Sequence, residues 1–357
     1  MPIDLQHRER MRHYRMPAEW EPHLATYLVW PHNLDTWPGK FEPVQPAYAK
    51  MAAAIAGFEP IRVLVKSADE VEPARALIRT AVSDAGLMNR VELIVEPTND
   101  SWIRDHGPIF VNKMSGEGPA QLALDWIFNS WGQKYGAFDL DDAIPRKLGA
   151  RYRFEVVEPG IVLEGGSIEV NGEGLLLTTE ACLLNKNRNP HLSQAAIEEY
   201  LMTYLGVTHV LWLGDGIAGD DTDGHVDDLA RFVTPHTIVT VIEEDPSDAN
   251  YHVLQDNLKR LHAMRDEHRR PFRIETLPMP TPVVYDDTRL PASYANFYIA
   301  NGGIVMPTFA CEADAIAMRT LQRLFPSRRV VGVPSVDLVW GLGAMHCLTQ
   351  QHPKTNS

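Results

Sequence analysis

One cysteine near the carboxyl end has the surroundings of a reactive thiol. Cys347 lies in the stretch GLGAMHCLTQQHP, where Gly341 and Gly343 would let a substrate approach the backbone closely. A cysteine attacks as its thiolate, so it needs a base or a cationic neighbour. His346 is adjacent, but neighbouring residues of an extended segment point to opposite faces, so we do not expect it to be that partner. The stretch favours a nucleophile at Cys347, with a buried, inert cysteine as the alternative.

The segment GDDTDGHVDDLARFV, residues 219–233, is the densest in residues that can do acid–base chemistry. In an extended chain, His225 and Asp227 would project to the same face and place an imidazole beside a carboxylate. Metal binding competes with this interpretation, but Asp221 and Asp223 lack the other ligands of an EF-hand loop, and the chain has no HExxH. The alternative interpretation is that this segment is a solvated acidic loop with no function. We expect no metal site here.

Two further motifs place carboxylates beside glycine or aromatic residues. In VLEGGSIEV, Glu164 stands between an apolar strand and two glycines, where burial is unfavourable unless the carboxylate binds a partner. In NDSWIRDHGP, Asp100, Arg104 and Asp105 share a short segment with Trp102, and an ion pair that fixes a turn is the alternative interpretation. The candidate set therefore contains a thiol, an imidazole and several carboxylates.

These residue types together suit a planar cation as substrate. Two carboxylates can each accept the paired N–H groups of a guanidinium, while a thiolate attacks its central carbon. A cysteine protease fits less well, because its chemistry needs an oxyanion hole and no paired carboxylates. A non-catalytic cation-binding protein stays open as an alternative, but it would have no use for Cys347.

The composition narrows the classes of partner. Lys plus Arg number 33 against 47 Asp plus Glu, and the net charge of −14 repels nucleic acid and favours small cationic ligands. Three cysteines, Cys182, Cys311 and Cys347, are too far apart for a CxxC metal site or a disulfide framework. The longest apolar run, residues 51–58, is far short of the ~20 residues that span a membrane, and the charged amino-terminal segment lacks a signal-peptide core. We therefore expect a cytoplasmic protein without nucleic-acid or membrane partners.

Helical and strand patterns alternate along the chain. Apolar residues at spacings of three and four predict helices over residues 46–57, 69–86, 193–206, 248–268 and 312–325. Short β-type runs predict strands over residues 62–66, 91–95, 109–111, 121–128, 175–178, 210–213, 237–243, 273–277, 297–299 and 330–333. Because no linker or compositional break interrupts this alternation, it predicts one α/β domain over residues 1–357.

Five compact polar motifs recur along the chain. Their central residues follow one another at intervals of 51 to 71 residues and are Asp105, Glu164, His225, Asn296 and Cys347. Such spacing predicts about five units around an axis, each of which sends one polar group toward the centre. Unrelated loops of an ordinary α/β sandwich are the alternative.

As a set, the motifs resemble those of the agmatine deiminase family. This family belongs to the guanidine-modifying superfamily, with arginine deiminases, bacterial peptidylarginine deiminases and amidinotransferases. The resemblance runs nearly end to end, from MPAEWEPHLATYLVWP through NDSWIRDHGP, LDWIFNSWGQKY, LEGGSIEVNGEGLLLTTEACLLNKNRNP, GDDTDGHVDDLARF and YANFYIANGGIVMP to MHCLTQQHP. It implies a five-bladed α/β-propeller of the pentein type, with the active site on its pseudo-fivefold axis.

The resemblance also implies catalytic roles. Cys347 matches the nucleophile, His225 the general acid/base, and Glu164 the carboxylate that accompanies them. Asp105 and Asp227 match the pair that binds the guanidinium.

Other residues are expected to bind the substrate away from the reacting carbon. The resemblance matches Trp102 to the aromatic residue that lines the substrate channel, and Asn296 to a binding asparagine of bacterial peptidylarginine deiminases. For the cationic tail of the substrate, the chain offers Trp37 and a group of acidic residues just before His225, namely Asp220, Asp221 and Asp223. This acidic stretch and the glycine run before Cys347 depart from the family pattern. We therefore expect the pocket that binds the tail of the substrate to differ from that of other family members.

The implied activity is hydrolysis of a guanidine without a cofactor. Agmatine is the expected substrate, with N-carbamoylputrescine and ammonia as products. A peptidylarginine deiminase would use the same residues on a protein, although its secreted bacterial examples are expected to carry a signal peptide. An amidinotransferase would pass the amidino group to an amine instead of water. A homo-oligomer is left open.

Overall fold

A computed structural model describes Ile3 and residues 5–355 of the chain. Its strands are β1 (Tyr14–Arg15), β2 (His23–Val29), β3 (Ile61–Val65), β4 (Val91–Val95), β5 (Ile109–Lys113), β6 (Gln121–Leu124), β7 (Glu155–Val157), β8 (Glu169–Val170), β9 (Leu175–Thr179), β10 (His209–Leu213), β11 (Ala230–Thr234), β12 (Thr237–Ile242), β13 (Arg273–Pro278), β14 (Val284–Tyr285), β15 (Thr288–Arg289), β16 (Tyr298–Ala300), β17 (Gly303–Thr308), β18 (Arg329–Pro334) and β19 (Gln350–Pro353).

The helical elements lie between these strands. They are α1 (Leu5–Met11), α2 (Val44–Ala56), α3 (Val71–Ala81), α4 (Ile103–His106), α5 (Ser130–Gln133), α6 (Asp139–Asp142), α7 (Ile144–Tyr152), α8 (Glu180–Leu183), α9 (Gln194–Leu205), α10 (Tyr251–Ala263) and α11 (Ala313–Leu324). Across the described residues, none of these helices combines the length and the apolar character that crossing a lipid bilayer demands.

In the described part of the chain, five sheets share one strand order. A first strand pairs antiparallel with a second, and the second pairs parallel with a third; the five sets are β5-β6-β7, β8-β9-β10, β11-β12-β13, β16-β17-β18 and β19-β2-β3. Strands β1 and β4 extend two of the sheets, and β14 pairs with β15 as a hairpin. A parallel pair needs a crossover connection, which α7, α9, α10, α11 and α2 provide in turn.

The crossover helix α9 shows how these units are built. It begins after Ser193, whose side chain accepts a hydrogen bond from the backbone N–H of Ala196, and it ends at Gly206, whose φ of 67° suits glycine. One face of the helix is apolar, and Ile197 and Leu201 on that face are buried in the same core cluster as residues of β9. Burial of this face against the sheet stabilises the helix more than its propensity does.

Four of the five predicted helices correspond to α2, α9, α10 and α11, with ends shifted by a few residues. The helix predicted over residues 69–86 corresponds to α3 (Val71–Ala81), which ends five residues earlier than predicted. Val82 is extended, and the carboxylate of Asp84 accepts a hydrogen bond from the backbone N–H of Gly86 at a separate 3-10 turn. An aspartate that bonds nearby backbone in this way competes with helix continuation.

Several strands escape prediction from the sequence. Strand β2 is buried at six of its seven residues, so it lacks the alternation that marks a half-exposed strand. Strand β19 consists of Gln, Gln, His and Pro, which are all buried. These residue types are not typical of a strand, so the sequence does not predict it. Both strands lie in the sheet that joins the two ends of the chain.

The five sheets carry the candidate residues at equivalent positions. Asp105, Glu164, His225, Asn296 and Cys347 each lie in the segment immediately before the first strand of a set, which is β5, β8, β11, β16 or β19. Each sheet therefore contributes one candidate residue from the same place in its topology.

Candidate active site

The segments before β5, β8 and β11 meet around Gly166. The backbone N–H of Gly166 donates to Oδ1 of Asp105 over 2.9 Å, and a carboxylate oxygen of Glu164 lies within 4.8 Å of a ring nitrogen of His225. A Cβ atom on that glycine would lie 2.6 Å from Nδ1 of His225, 2.8 Å from Oδ1 of Asp105 and 3.1 Å from Oδ2 of Asp227. Glycine thus leaves room for an imidazole and two carboxylates to converge.

The segments before β16 and β19 complete this arrangement. Asn296 donates from Nδ2 to Sγ of Cys347 and to Oδ1 of Asp228, each over 3.0 Å. Its Oδ1 accepts the backbone N–H of His346 over 2.9 Å. The backbone N–H of Arg104 donates to the carbonyl of Cys347 over 3.3 Å. Direct contacts between neighbouring segments therefore join all five sheets at one buried cluster.

Cys347 lines a cavity of about 950 Å³ and is 6% exposed. A Cβ atom on Gly343 would lie 2.5 Å from Cζ3 of Trp102 and 3.0 Å from Cβ of Cys347, so glycine lets the indole reach the thiol. Burial, together with the carboxylates Asp227 and Asp228, raises the pKa of Cys347 well above its ordinary value. At neutral pH Cys347 is therefore a protonated thiol unless a cation binds beside it.

Asp105 also lines the cavity, and both of its carboxylate oxygens are fixed. Oδ1 accepts the N–H of Gly166, and Oδ2 accepts Nε1–H of Trp131 over 2.9 Å. Burial, opposed in part by His225, raises the pKa of Asp105 to about 6. Above that pH each oxygen still has a lone pair for an N–H group of a bound cation.

The backbone that carries Trp131 is unusual. Ser130, Trp131 and Gln133 have φ of 55°, 54° and 62°, and Gly132 between them has φ of 91°, so α5 is a left-handed turn. The side chain of Asn129 accepts the N–H of Gly132 over 2.8 Å. Each non-glycine residue in this conformation costs roughly 1–2 kcal/mol. Such local strain is typical of functional sites, and here it holds an indole against Asp105.

Asp227 is fully buried, and its Oδ1 makes no hydrogen bond to any residue that the structure describes. Its Oδ2 lies 2.7 Å from Nδ1 of His346 and 3.6 Å from Sγ of Cys347. Burial favours the neutral acid, but the hydrogen bond and the charge of His346 lower the pKa of Asp227 below its ordinary value. The result is an ionised carboxylate whose Oδ1 is available to a cation.

His225 is fully buried, and neither ring nitrogen makes a hydrogen bond within the described residues. Its Nδ1 lies 3.7 Å from Oδ1 of Asp105. Burial opposes the charged ring, but Asp105 and other nearby acidic groups outweigh it and raise the pKa of His225 well above its ordinary value. A protonated imidazole in this cluster can donate to a departing amine.

Glu164 is fully buried, and Arg188 neutralises it. Nε of Arg188 donates to Oε1 over 2.6 Å, whereas Oε2 makes no hydrogen bond within the described residues. One donor atom each of Glu164, Cys182 and His225 lie within 4.8 Å of one another, as a metal site would require. The guanidinium already bound to Glu164 would repel a metal ion there.

Loops form the walls of the cavity. Trp102 and Trp131 supply aromatic faces, and Asp100 and Asp221 supply carboxylates. Trp37, which the sequence places near the substrate tail, is fully buried and does not line the cavity; it packs behind Trp102 with ring centroids 5.7 Å apart. Its Nε1 bonds to a backbone carbonyl over 3.0 Å, so Trp37 supports the cavity wall.

Residues 15–353 match the model of the Porphyromonas-type peptidyl-arginine deiminase family. The chain belongs to this family. It is 42% identical to the agmatine deiminase of Pseudomonas aeruginosa (strain LESB58) and 40% identical to that of Ectopseudomonas mendocina (strain ymp). In both comparisons the match covers 95% of each chain.

Solved structures agree with this assignment. The agmatine deiminase of Enterococcus faecalis matches this deiminase-family chain with a TM-score of 0.89 and 35% identity, over 98% of both chains. A cysteine-to-serine variant of the C. jejuni agmatine deiminase, solved with substrate bound, matches with a TM-score of 0.85 and 31% identity. That match covers 96% of this chain and 97% of the other. The predicted α/β class is therefore confirmed over nearly the whole chain.

Of the three acidic residues expected at the substrate tail, only Asp221 lines the cavity of this family member. Asp220 accepts the backbone N–H of Gly224 over 2.9 Å and so shapes its own loop. Asp223 pairs with Arg188 over 2.6 Å. The expectation does not hold for Asp220 and Asp223, because backbone N–H groups and an arginine take up their carboxylates.

The local backbone also differs from the expected extended segments. His225 precedes a 3-10 turn, so His225 and Asp227 converge by a turn and not by strand alternation. His346 lies in a turn as well, and its ring contacts Asp227 and Glu19 without bonding to the thiol. The ion pair considered for the Asp105 segment is absent among the described contacts of Arg104, which pairs with Glu19 instead.

Sequence reasoning overlooks several residues of this deiminase-family site. Glu19, Trp131 and Arg188 lie within MPAEWEPH, FNSWGQKY and NKNRNP, three stretches that carry the family resemblance. Their presence in those stretches is the signal that could have found them. Asp228 is also overlooked, although it directly follows Asp227.

Proposed function

We propose that this protein is an agmatine deiminase, which hydrolyses the guanidinium of agmatine to N-carbamoylputrescine and ammonia. The observation that carries the proposal is the cluster of the Cys347 thiol and the Asp105 carboxylate, which line the cavity, with the buried Asp227 carboxylate and His225 imidazole directly behind them. Relatives named agmatine deiminases, matching along 95% of the chain, support this choice of substrate.

The two carboxylates bind the guanidinium. Asp227 offers Oδ1, which has no partner among the described residues, and Asp105 offers the remaining lone pairs of two fixed oxygens. Charge-assisted hydrogen bonds to a cation are strong in a buried site. The bound cation also lowers the pKa of Cys347, which neighbouring carboxylates otherwise raise, so substrate binding promotes the thiolate.

The reaction then proceeds in two halves. The Cys347 thiolate forms a bond to the central carbon, and the bond to a terminal nitrogen breaks as His225 donates its proton, which releases ammonia and leaves an amidino-cysteine. His225 next takes a proton from water, whose oxygen bonds to the same carbon. Cleavage of the C–S bond, with transfer of the remaining hydroxyl proton to the departing sulfur, yields the ureido product and restores the thiol.

The remaining residues position these groups. Glu164 with Arg188 forms the floor beside His225, and Asn296 donates to the sulfur over 3.0 Å, which favours the thiolate once it forms. Trp102 lies along the alkyl chain of the substrate. Asp221 faces its terminal ammonium.

The family fold supports a more specific arrangement, in which residues 1–357 form one domain with the five sheets around a single axis. Each set has the same order, and each contributes one residue to the cluster from the segment before its first strand. Contacts run from each of these segments to the next and back to the first, which is what a five-bladed α/β-propeller requires.

The name of the matching family makes peptidyl-arginine deimination the second candidate. Purified protein incubated in parallel with agmatine, free arginine and an arginyl peptide, with colorimetric detection of ureido groups, separates the two. We expect ureido product and ammonia from agmatine without an added acceptor amine. A preference for the peptide would favour the second candidate, and a need for an acceptor amine would indicate an amidinotransferase.

A further inference from the structure

Arg188 contacts two segments of the site with one guanidinium. Its side chain is fully buried, and its Nε donates to Oε1 of Glu164 over 2.6 Å. Its Nη1 donates to Oδ2 of Asp223 over 2.6 Å, and its Nη2 donates to the backbone carbonyl of Thr222 over 2.8 Å. All three nitrogens of the guanidinium therefore have partners, and these partners lie in the segments before β8 and β11.

The second of these segments contains a tight loop, residues 220–224, which forms part of the cavity wall. Asp221 and Thr222 line the cavity. Asp220 closes the loop on itself, because its carboxylate accepts the backbone N–H of Thr222 over 2.7 Å and that of Gly224 over 2.9 Å. These bonds set the shape of the loop, so its position in the site depends on contacts with other segments.

Asp223 attaches this loop to its neighbours. Its Oδ2 accepts the bond from Arg188 and, over 2.9 Å, a second bond from Nδ2 of Asn187. Its Oδ1 lies 2.7 Å from Nζ of Lys134, which also donates to the backbone carbonyl of Asp221. A planar guanidinium fixes the orientation of its partners as well as their distance, whereas an ammonium group acts as a point charge. Arg188 therefore sets the orientation of the loop.

On its other side, Arg188 holds the carboxylate of Glu164. Oε2 of Glu164 makes no hydrogen bond to any described residue, so the bond from Arg188 to Oε1 is the contact that fixes this carboxylate. A carboxylate oxygen of Glu164 lies within 4.8 Å of a ring nitrogen of His225. One guanidinium thus contacts both a group beside the reacting centre and the loop that faces the substrate tail.

We propose that Arg188 is a positioning residue that couples the two ends of the substrate site. At the guanidinium end it fixes Glu164 beside His225, and at the tail end it fixes the loop that carries Asp221. Arg188 acts through these groups, since it lies behind the residues that line the cavity. Its part in turnover rests on the proposed function, whereas the attachment of the loop is a property of the free protein.

Hydrogen exchange tests this attachment on the free protein. Arg188→Lys keeps a positive charge in the buried site but lacks the planar fork, so it cannot hold a carboxylate and the loop together. We expect the amides of residues 220–225 to exchange at least about tenfold faster in this variant, because the N–H groups bonded to Asp220 open more often. Mass spectrometry of the peptide that covers the loop measures the rate. Equal exchange in the wild type and in Arg188→Lys would overturn the proposal.

Kinetics test the coupling between the two ends. In Arg188→Lys we expect kcat for agmatine to fall at least about tenfold and KM to rise at least about fivefold, because both Glu164 and the loop lose a fixed position. Asp223→Asn removes a charge from the loop alone and keeps a residue type that tolerates the φ of 68° at this position. We expect it to raise KM about fivefold while kcat changes less than about twofold, and to narrow the preference for agmatine over arginine.

Arg15→Lys is the matched control. Nη1 and Nη2 of Arg15 donate to the two carboxylate oxygens of Glu21 over 2.6 and 3.0 Å, and neither residue lines the cavity. This variant loses the same kind of forked contact at a distance from the candidate site. It should leave the exchange of residues 220–225, kcat and KM unchanged.

The outcomes separate this proposal from the proposed function. If Arg188→Lys is less stable but its folded fraction has wild-type kcat and KM, Arg188 has a structural role only and the proposal is overturned. If that variant does not fold, Asp223→Asn decides, and wild-type loop exchange and KM in it would overturn the proposal. If the wild-type protein does not turn over agmatine, the proposed function fails, while hydrogen exchange still decides whether Arg188 holds the loop.

Discussion

Trp131 donates its indole N–H to Oδ2 of Asp105 across 2.9 Å, from a turn in which four consecutive residues have a left-handed backbone. The same indole lines the cavity. The hydrogen bond favours the ionised form of Asp105 and offsets part of the effect of its burial on the pKa. We infer that the strained turn is retained because it orients one of the two carboxylates proposed to bind the guanidinium.

The variant Trp131→Phe tests this inference, because it keeps the aromatic face and removes only the N–H. We expect kcat/KM for agmatine to fall about 10- to 100-fold, which corresponds to about 1.4 to 2.7 kcal/mol. Trp212→Phe is the matched control, since it removes an indole hydrogen bond to a carboxylate, Glu198, outside the candidate site. Equal effects of the two substitutions would contradict the role of Trp131.

Ionisation of Asp105 should set the acid limb of activity. Its pKa is raised to about 6, so lowering the pH through about 6 protonates Asp105 and removes a charge that the guanidinium needs. We expect kcat/KM for agmatine to fall about tenfold per pH unit below that value. Measurement of kcat/KM between about pH 4.5 and pH 8 on folded protein checks this expectation. A flat profile across that range would show that Asp105 does not bind the cation.

The paired carboxylates are tested by single substitutions. Asp105→Asn and Asp227→Asn should each keep the fold and reduce kcat/KM about 30- to 150-fold, because each removes a charge-assisted contact that strengthens during the reaction. Circular dichroism and thermal unfolding separate this loss from misfolding. If a variant unfolds while its folded fraction has wild-type specific activity, that carboxylate has a structural role.

In the free protein, the thiol of Cys347 should be alkylated slowly at neutral pH and faster at alkaline pH. Burial and nearby carboxylates raise its pKa, so its alkylation by iodoacetamide in the free protein should accelerate about tenfold per pH unit through and beyond neutrality. Peptide mass spectrometry measures the adduct at this position. A plateau below about pH 7 would indicate a thiolate already present in the free enzyme and would contradict substrate-promoted ionisation.

Cys347→Ser should abolish turnover, and an amidino adduct trapped during turnover should lie on Cys347. Cys311→Ser is the matched control, because Cys311 bonds to the hydroxyl of Tyr294 over 3.3 Å and does not line the cavity. Cys182 does not serve as a control, because its thiol lies beside His225 and Glu164. An amidino adduct on Cys311 or Cys182 would overturn the assignment of the nucleophile.

Sequence patterns could predict what depends on local periodicity. The helices α9 and α11 carry apolar faces along whole turns, and motifs such as HVDD and LEGG contain the residue types of the chemistry. The contact between Glu19 and His346 joins positions 327 residues apart, and neither residue has a local reason to be buried. Only the assembled sheets bring the two together.

The sequence does not predict the conformation of α5 either. The stretch SWGQ contains a single glycine, yet all four residues have positive φ. Contacts from outside the stretch impose this conformation: Asn129 bonds to Gly132, and the side chain of Asn187 fills the space beside that glycine. Backbone propensity therefore disfavours this turn, and tertiary packing stabilises it.

The cavity should discriminate between agmatine and free arginine. Arginine carries a carboxylate that agmatine lacks, and a site selective for agmatine needs acidic or aromatic groups there and no arginine placed to pair with it. Asp100 and Asp221 line the cavity, and none of the described residues that line it is an arginine. Lys134 and Lys66 also line it; Lys134 pairs with Asp223 over 2.7 Å, and aspartates outnumber the two lysines along the lining. These charges disfavour a carboxylate at the tail.

We therefore expect kcat/KM for agmatine to exceed that for arginine by at least about 100-fold, which corresponds to about 2.7 kcal/mol. Asp221→Asn should narrow the ratio by lowering only the value for agmatine, whereas Asp245→Asn, a change at an exposed carboxylate, should leave the ratio unchanged. Low salt should widen it, because screening weakens the attraction between the net charge of −14 and a dication. Equal rates on both substrates would overturn the choice of agmatine. They would leave the deiminase chemistry intact, because the groups that act on the guanidinium are separate from those that face the tail.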